Sequence, residues 1–476
     1  MKVLDKLIEK AKKRPLLAVL LFSLLLRLVY LLFDFPLWWD SHIYIGMGKY
    51  IFSSGEIGVW ESFRPVIHPF VIGLFWKLGL NPVIIGKILD VILSLAVIYL
   101  TYLIAEKVFS ENIAILSALV LTVTPIFIKL TGLILSEPLA LSFGLLGIYL
   151  FIKNKSYLNL FIAGLLLGLA FLTKFPFGIF FLAVILILLF VNEELLLKIK
   201  KILPMVLGFT VVLAPYLFFN HYFYGDMLWA FKYSSEIAAA SGWNYGSGIF
   251  YYFYKFFPLL ILFFFGAAYL FFKSRQFKEK EKRLLFLIPI LTLLYFVYLP
   301  TKVPRYMLVA LPFMIMFSSN AVIIFYGYLK KHPSPILKPQ ALVVILILLA
   351  LANIPDNFNM DNAAALDKEI INWVKKIEPD KIILTTNPAL YSYTNNKIII
   401  FGETNDALRI YEKETNNSDY LIINSCDLLC PPDDLICNGQ KEELLERIDN
   451  ENKLILRRVS IMSDKKECVQ SVYEHK

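Results

Sequence analysis

Long apolar runs follow one another along most of this chain, and they limit what it can fold into. Crossing a bilayer as a helix takes about 20 apolar residues. Runs of this kind fall at roughly 15–33, 82–105, 111–128, 134–152, 159–174, 176–191, 202–219, 249–272, 284–300, 304–326 and 340–355. They predict a polytopic α-helical membrane protein with about eleven transmembrane helices. The composition agrees: 58% of residues are hydrophobic and 18% charged, where soluble domains run at about 45–50% apolar. No internal repeat is evident, and no small-residue cleavage site follows the first run, so no cleaved secretory signal is expected. After Pro355 the hydrophobicity collapses. The expected division is a membrane domain over 1–355 and a polar domain over 356–476.

Charge orients the chain. The net charge is +9, but the basic residues form no single patch, which argues against nucleic acid as a partner. They lie in short loops. The N-terminus "MKVLDKLIEKAKKR" is basic and is placed in the cytoplasm. Alternating from there, the loops "KNKSY", "NEELLLKIKK", "KSRQFKEKEKR" and "YLKKHPSPILKP" all fall on the same side, as the positive-inside rule requires. An odd number of spans then makes a multi-pass protein of the cell membrane with an extracytoplasmic C-terminal domain. The outer loops are 34–81, "KLTGLILSEP" (129–138), the corner "TKFP" (173–176), 220–248 and "PTKVPRY" (300–306).

The polar tail alternates helical and strand-like segments. "DKEIINWVKKI", "NDALRIYEKE" and "KEELLERIDN" read as helices; "KIILTT", "KIIIFG", "DYLIINS" and "KLILRRVSIM" read as strands. This predicts a small C-terminal α/β domain with a largely parallel sheet. It has no Gly-rich phosphate loop. All four cysteines, Cys426, Cys430, Cys437 and Cys468, lie here. Two disulfides suit an outside domain, with three connectivities open. A zinc site is the rival, although no CxxC pair is present, and free thiols are the third reading.

The most informative stretch is "FPLWWDSHIYIGMGKYI", residues 35–51. Two tryptophans mark a membrane–water interface, and Asp40 follows at once. Ionisable groups at such depths are costly and mark function by default. Asp40, Arg64, His68, Lys87, Asp90, Lys129, Glu137, Lys174, Lys302 and Arg305 all lie in or beside apolar surroundings on the predicted outer face. Snorkelling to the headgroups explains any one lysine. Several cations with two carboxylates on one face describe a pocket for an anion, and at a membrane surface that anion is a lipid phosphate. A sugar on a polyprenyl phosphate is activated for transfer. The reaction needs a base for the acceptor hydroxyl and cations for the departing phosphate.

These residues resemble the polytopic GT-C glycosyltransferases, in the branch of protein O-mannosyltransferases and aminoarabinose transferases. Asp40, Tyr44 and Gly48 in "WWDSHIYIGMG" match the family's first outer loop. "RPVIHPF" with His68 and Pro69 matches its His-Pro step, and Lys87 its charge near the second span. Glu137 in "SEPLALSF" opens the fourth span, and "GLLLGLAFLTKFPFG" matches the Gly-rich span ending in Thr-Lys. "KVPRYMLVALPF" matches an Arg-Tyr signature. Ser41 departs from the second acid common in the family, and Phe70 from its second Pro. The triplet "WWD" also occurs in oligosaccharyltransferases, but in their C-terminal domain, so that match is discounted.

The resemblance implies Asp40 as general base, with Asp34 as a less favoured substitute. Glu137 binds sugar hydroxyls, orients Asp40 or merely caps its helix. Arg64, His68, Lys129, Lys174, Lys302, Arg305 and Tyr306 form the donor-phosphate cradle, unless His68 is structural and Lys129 snorkels. Tyr44 and Trp39, with Trp38, are pocket wall or membrane belt. The implied partners are a polyprenyl or dolichyl phosphate-sugar lipid, a glycan or protein acceptor and membrane lipids. An inverting, metal-independent transfer is expected, without a cofactor. A transporter or flippase of lipid-linked sugars would use the same cations but line a path through several spans with them. An anchored assembly protein would show its chemistry in the tail.

Overall fold

The computed structural model describes residues 13–33, 35–153, 156–240, 242, 246–272, 279–331, 344, 365–401, 404–431, 433–461 and 467–475. The run at 340–355 (apart from residue 344) and Asp34 lie outside the described residues. The helical part comprises α1 (Pro15–Leu31), α2 (Trp39–Phe52), α3 (Ile67–Lys77), α4 (Pro82–Val108), α5 (Glu111–Val123), α6 (Pro125–Lys129), α7 (Glu137–Lys153), α8 (Tyr157–Thr173) and α9 (Gly178–Phe190). It continues through α10 (Leu195–Tyr224), α11 (Trp229–Ala240), α12 (Tyr251–Lys255), α13 (Phe257–Phe272), α14 (Lys280–Tyr298) and α15 (Leu311–Lys331).

Among the described residues the apolar runs become helices, but of uneven length. By length and composition, α4, α10 and α15 are long and apolar enough to cross a membrane. Pro15–Leu31, Glu111–Val123, Tyr157–Thr173, Phe175–Phe190 and Phe257–Phe272 are shorter apolar helices. Proline sets several breaks. Pro125 separates α5 from α6, and Pro304 opens a 3-10 turn, Pro304–Val309, before α15. Proline suits the first turn, where its missing N–H would be unpaired anyway.

Helices approach through glycine. A Cβ on Gly164 of α8 would lie 2.0 Å from the Met205 carbonyl oxygen of α10, and one on Gly208 would lie 2.1 Å from that of Phe161. Small residues at such crossings let two backbones meet where lipid gives no hydrophobic drive for association. The Gly-rich pattern of "GLLLGLAFLTK" is therefore a packing surface for α10.

The C-terminal unit is a five-stranded sheet of β1 (Ile382–Thr385), β2 (Lys397–Ile400), β3 (Tyr420–Asn424), β4 (Lys453–Ile461) and β5 (Glu467–Glu474), in the order β2-β1-β3-β5-β4. β2, β1 and β3 are parallel, as the sequence predicts; β5 runs antiparallel to both β3 and β4. The antiparallel β5 was not anticipated, so the sheet is mixed. Its helices are α16 (Lys368–Val374), α17 (Leu390–Tyr393), α18 (Thr404–Glu414) and α19 (Leu435–Glu451). The strands bury both faces, because successive side chains alternate. Leu384, Leu421 and Ile423 pack against Tyr411, Leu444 and Ile448 of α18 and α19. Ile383 and Ile422 share the opposite cluster with Ile43 and Met47 of α2. One sheet face is thus docked on the helical part.

The cysteines close two bridges in this unit, Cys426–Cys468 and Cys430–Cys437. This selects one of the three connectivities and leaves neither a thiolate cluster for zinc nor free thiols among the described residues.

Candidate active site

The site is organised by α2. Its first turn carries Asp40, where a negative charge suits the helix N-terminus. Asp40, Tyr44 and Gly48 are spaced by four and share a face. At Gly48 that face meets α3 closely: a Cβ there would lie 2.6 Å from the Pro69 carbonyl oxygen and 2.8 Å from the Gly73 nitrogen. On the other side, Ile43 and Met47 are buried in the cluster shared with the sheet. α2 is wedged between two partners, which fixes where Asp40 points.

Asp40 is held by two arginines. Arg64 Nη1 donates to its Oδ1 at 2.8 Å, and Arg305 Nη2 to its Oδ2 at 2.6 Å. Arg64 also donates through Nε to Glu61. Beside them Lys174 donates to Glu137 Oε1, and Arg305 Nε lies 3.9 Å from the same oxygen. Glu137 Oε2 and Arg305 Nε are buried with no hydrogen-bond partner. Arg305 lies 5.6 Å from the Trp38 ring centre, and the Lys129 ammonium sits 4.9 Å from the same centre. Tyr44 donates to or accepts from Ser136 at 3.3 Å, and the Arg64 guanidinium lies 5.5 Å from its ring centre. Burial pushes the Asp40 carboxyl up, but Arg64, Arg305 and Lys174 outweigh it and hold the group far below the usual carboxylate range. Such an arrangement can hold an anion, accept a proton once a cation is drawn away, and take a hydroxyl at Glu137.

Residues 63–219 match the family described as Dolichyl-phosphate-mannose-protein mannosyltransferase. That stretch runs from the residue before Arg64 into α10. Among solved structures, ArnT from Cupriavidus metallidurans bound to undecaprenyl phosphate aligns with a TM-score of 0.62 at 14% identity, covering 96% of each chain. The fold is that of the GT-C membrane glycosyltransferases. The archaeal oligosaccharyltransferase AglB from Archaeoglobus fulgidus, in complex with an inhibitory peptide and a dolichol-phosphate, aligns at TM-score 0.58 and 12% identity. It covers 98% of this chain and 75% of that one. The arabinofuranosyltransferase AftD from Mycobacteria aligns at TM-score 0.54 and 13% identity, covering 97% of this chain and 40% of that one. No curated protein matches by sequence. The three neighbours share the fold, and the family match assigns the chain to the glycosyltransferases.

Within this GT-C fold the expected site residues separate. Asp40, Arg64, Tyr44, Glu137, Lys174, Arg305 and Lys129 come together. Five others do something different. His68 points its Nε2 at the Ile134 carbonyl oxygen, 3.2 Å away, and meets Tyr44 edge-on at 5.1 Å between ring centres. Burial pushes its imidazole down to about 4. A neutral ring donating from Nε2 carries no charge for a phosphate. Lys302 donates to the carbonyls of Phe296 at 3.0 Å and Val297 at 2.6 Å, and to that of Leu299. It caps the C-terminus of α14, where a cation meets the negative end of the helix dipole. Trp39 packs against the cluster shared with the sheet, away from Asp40. Tyr306 stacks on Phe296, with 4.7 Å between ring centres. Lys87 lines a small pocket with Tyr30 and Thr131.

Asp90 and His68 act on one residue. Ile134 has φ +55°, a left-handed conformation that is costly for a β-branched side chain. Asp90 Oδ2 accepts from its N–H at 2.7 Å and from Gly132 N at 3.1 Å, while His68 holds its carbonyl. Two residues further on lies Ser136, then Glu137. The clamp therefore sets the segment that delivers both to the site.

Sequence reasoning missed Glu61, Lys49 and Arg27. Arg27 is fully buried in α1, donates to Ser23 Oγ at 2.6 Å and lies 5.1 Å from the Phe127 ring centre. A lone Arg inside "SLLLRLVYLL" was a legible signal for it. Glu61 stands three residues before Arg64 in a loop, with no periodicity to mark the pair.

Proposed function

We propose that this protein transfers a sugar from a polyprenyl or dolichyl phosphate-linked donor to an acceptor on the extracytoplasmic side, with inversion and Asp40 as general base. The acceptor is a glycan, a lipid-linked glycan or a protein. The N-terminus lies in the cytoplasm and the sheet domain outside. The single observation carrying the reading is Asp40 bridged between Arg64 and Arg305, beside the Glu137–Lys174 pair. The undecaprenyl phosphate in the ArnT structure and the dolichol-phosphate in the AglB structure support a lipid-phosphate donor.

The charges explain how the parts work together. Asp40, Glu61 and Glu137 are matched by Arg64, Arg305 and Lys174, each in an ion pair. Lys129 makes no ion pair with a described carboxylate and rests on Trp38. A donor phosphodiester brings one negative charge, which Lys129 balances. In the reaction the acceptor oxygen bonds to the anomeric carbon as the bond from that carbon to the phosphate oxygen breaks. The acceptor proton passes to Asp40. Asp40 then loses its charge as the departing phosphate gains one, so Arg64 and Arg305 are released to the leaving group at that moment. Glu137 Oε2, buried and unpartnered, takes a sugar hydroxyl. No metal enters this scheme, and transfer is expected to survive a chelator.

The test is transfer of radiolabelled sugar from a polyprenyl phosphate donor by purified protein, with a membrane glycan extract as acceptor. Wild type transfers; Asp40→Asn binds donor and does not. Equal transfer by both removes Asp40 as base. Movement of the lipid between leaflets without transfer by either replaces the enzyme reading with a flippase.

A further inference from the structure

On the face of α2 opposite Asp40, a cleft of about 600 Å³ opens between the helical part and the sheet domain. This is within the ordinary range for a small-molecule site. Its walls are the end of α3, the turn before α4, and the segments around Lys375 and 392–396. Two lysines line it, Lys49 and Lys375, and no carboxylate does. Lys49 is 3% exposed. Its ammonium donates to the Thr394 carbonyl oxygen at 2.8 Å, and no described carboxylate pairs with it. A buried ammonium answered by one neutral carbonyl is costly unless an anion joins it. Burial alone pushes Lys49 down to about 7.

Each lysine lies near an aromatic ring in the same wall. Lys49 Nζ is 6.0 Å from the Trp76 ring centre, and Lys375 Nζ is 5.6 Å from that of Tyr393. Asn395 adds an exposed amide. Flat apolar rings, polar amides and two cations are what an acidic sugar needs: faces for its C–H groups, partners for its hydroxyls, and charge for its acid. Asn81 and Pro82, where α4 begins, line the cleft, and Ile84 and Ile88 of that helix are exposed. A ligand reaches the cleft from the lipid headgroups or from solution.

We propose that this cleft binds an anionic saccharide, a sugar unit bearing a carboxylate or a phosphate. It is a second site. Nine residues separate Lys49 from Asp40 along α2, about 13 Å at 1.5 Å per residue, and half a turn about the axis. Binding there does not depend on the transfer reaction proposed above. It holds an acidic unit while the other face of α2 works.

The experiment uses the full chain in phosphatidylcholine nanodiscs. Hyaluronan tetrasaccharide, which carries uronic acids, and neutral chitotetraose are titrated by calorimetry. Retention of phosphatidylinositol in doped nanodiscs is followed by native mass spectrometry. The acidic tetrasaccharide binds at least about tenfold more tightly than chitotetraose, and Lys375→Ala, an exposed change, weakens it by about tenfold. Lys49→Met weakens it further. Lys375-dependent retention of phosphatidylinositol that competes with the tetrasaccharide assigns the source to the bilayer; tetrasaccharide binding without it assigns a soluble glycan. Equal binding of the two oligosaccharides overturns the proposal. So does the absence of any Lys375-dependent binding of either the tetrasaccharide or the lipid.

Discussion

Asp40 and Lys49 stand on one helix, on opposite faces, and each is a charge taken largely out of water. They are treated differently. Asp40 is answered by two guanidinium groups at 2.8 and 2.6 Å, and its neighbour Glu137 by Lys174. Lys49 is answered by a single carbonyl. Where charges are matched, the geometry is pinned and a small change in one charge is felt by all. Where a charge is left over, the fold waits for a counter-charge from outside. The first pattern suits chemistry and the second suits capture.

The largest expected effect lies in the matched cluster. Arg305→Gln removes one arm from Asp40 and the nearest cation from Glu137 Oε1 after Lys174. Losing a charged donor that serves a developing anion costs about 10²-fold in kcat/KM for the donor, near 2.7 kcal/mol. It also changes the pH profile. In the wild type the cations keep Asp40 ionised far below the usual range. A depressed pKa gives stability that is fully present above the unfolded value of about 3.9 and is lost as pH falls toward the folded value. With one arginine gone the Asp40 pKa rises, so the acid limb of kcat/KM moves up. Steady-state kinetics between pH 4 and 8 checks this. An unshifted limb would separate Asp40 from Arg305 and break the contrast with the cleft.

How much of this was legible in the sequence follows from what a one-dimensional string can carry. Depth in the membrane is one-dimensional. Asp40, Arg64, Glu137, Lys174 and Arg305 were found because each stands in or beside apolar surroundings on the predicted outer face. The helical spacing of Asp40, Tyr44 and Gly48 was legible too, because it is local. What a charge pairs with is three-dimensional, and there the reading failed. Lys302 stands at the same depth as Arg305, three residues away, yet folds back onto its own helix. Trp39 follows Trp38 but points into the sheet domain, since neighbours on a helix are about 100° apart. β5 was missed because "ECVQSVYE" pairs antiparallel with β3 and β4, a partnership no local pattern announces. Lys49 lies inside the helix that supplied Asp40, and its partner, the Thr394 carbonyl, comes from the distant sheet domain.

A middle-sized effect tests the clamp on Ile134. His68→Ala leaves the buried Ile134 carbonyl without its donor, which costs about 1–3 kcal/mol of stability. The segment carrying Ser136 and Glu137 is then held from one side, by Asp90. Thermal unfolding is expected at a lower temperature, and kcat is expected to fall while donor affinity stays constant. Loss of donor affinity with unchanged stability would return His68 to the phosphate cradle.

The smallest effect is the most diagnostic. Lys302 and Lys49 are both buried lysines that donate to carbonyls, but Lys302 serves three at the end of α14 and Lys49 only one. A helix C-terminus is itself a centre of negative potential, so Lys302 has its counter-charge within the fold. Lys302→Ala therefore costs about 1 kcal/mol of stability, the worth of a C-terminal cation and its hydrogen bonds. It leaves the affinity for both the donor lipid and an acidic saccharide unchanged. Calorimetric unfolding and donor titration on the same sample read both quantities. If donor affinity falls instead, the helix end is not a sufficient partner for Lys302. Buried lysines on carbonyls would then be anion sites in general, and the number of carbonyls would cease to distinguish a cap from a cleft.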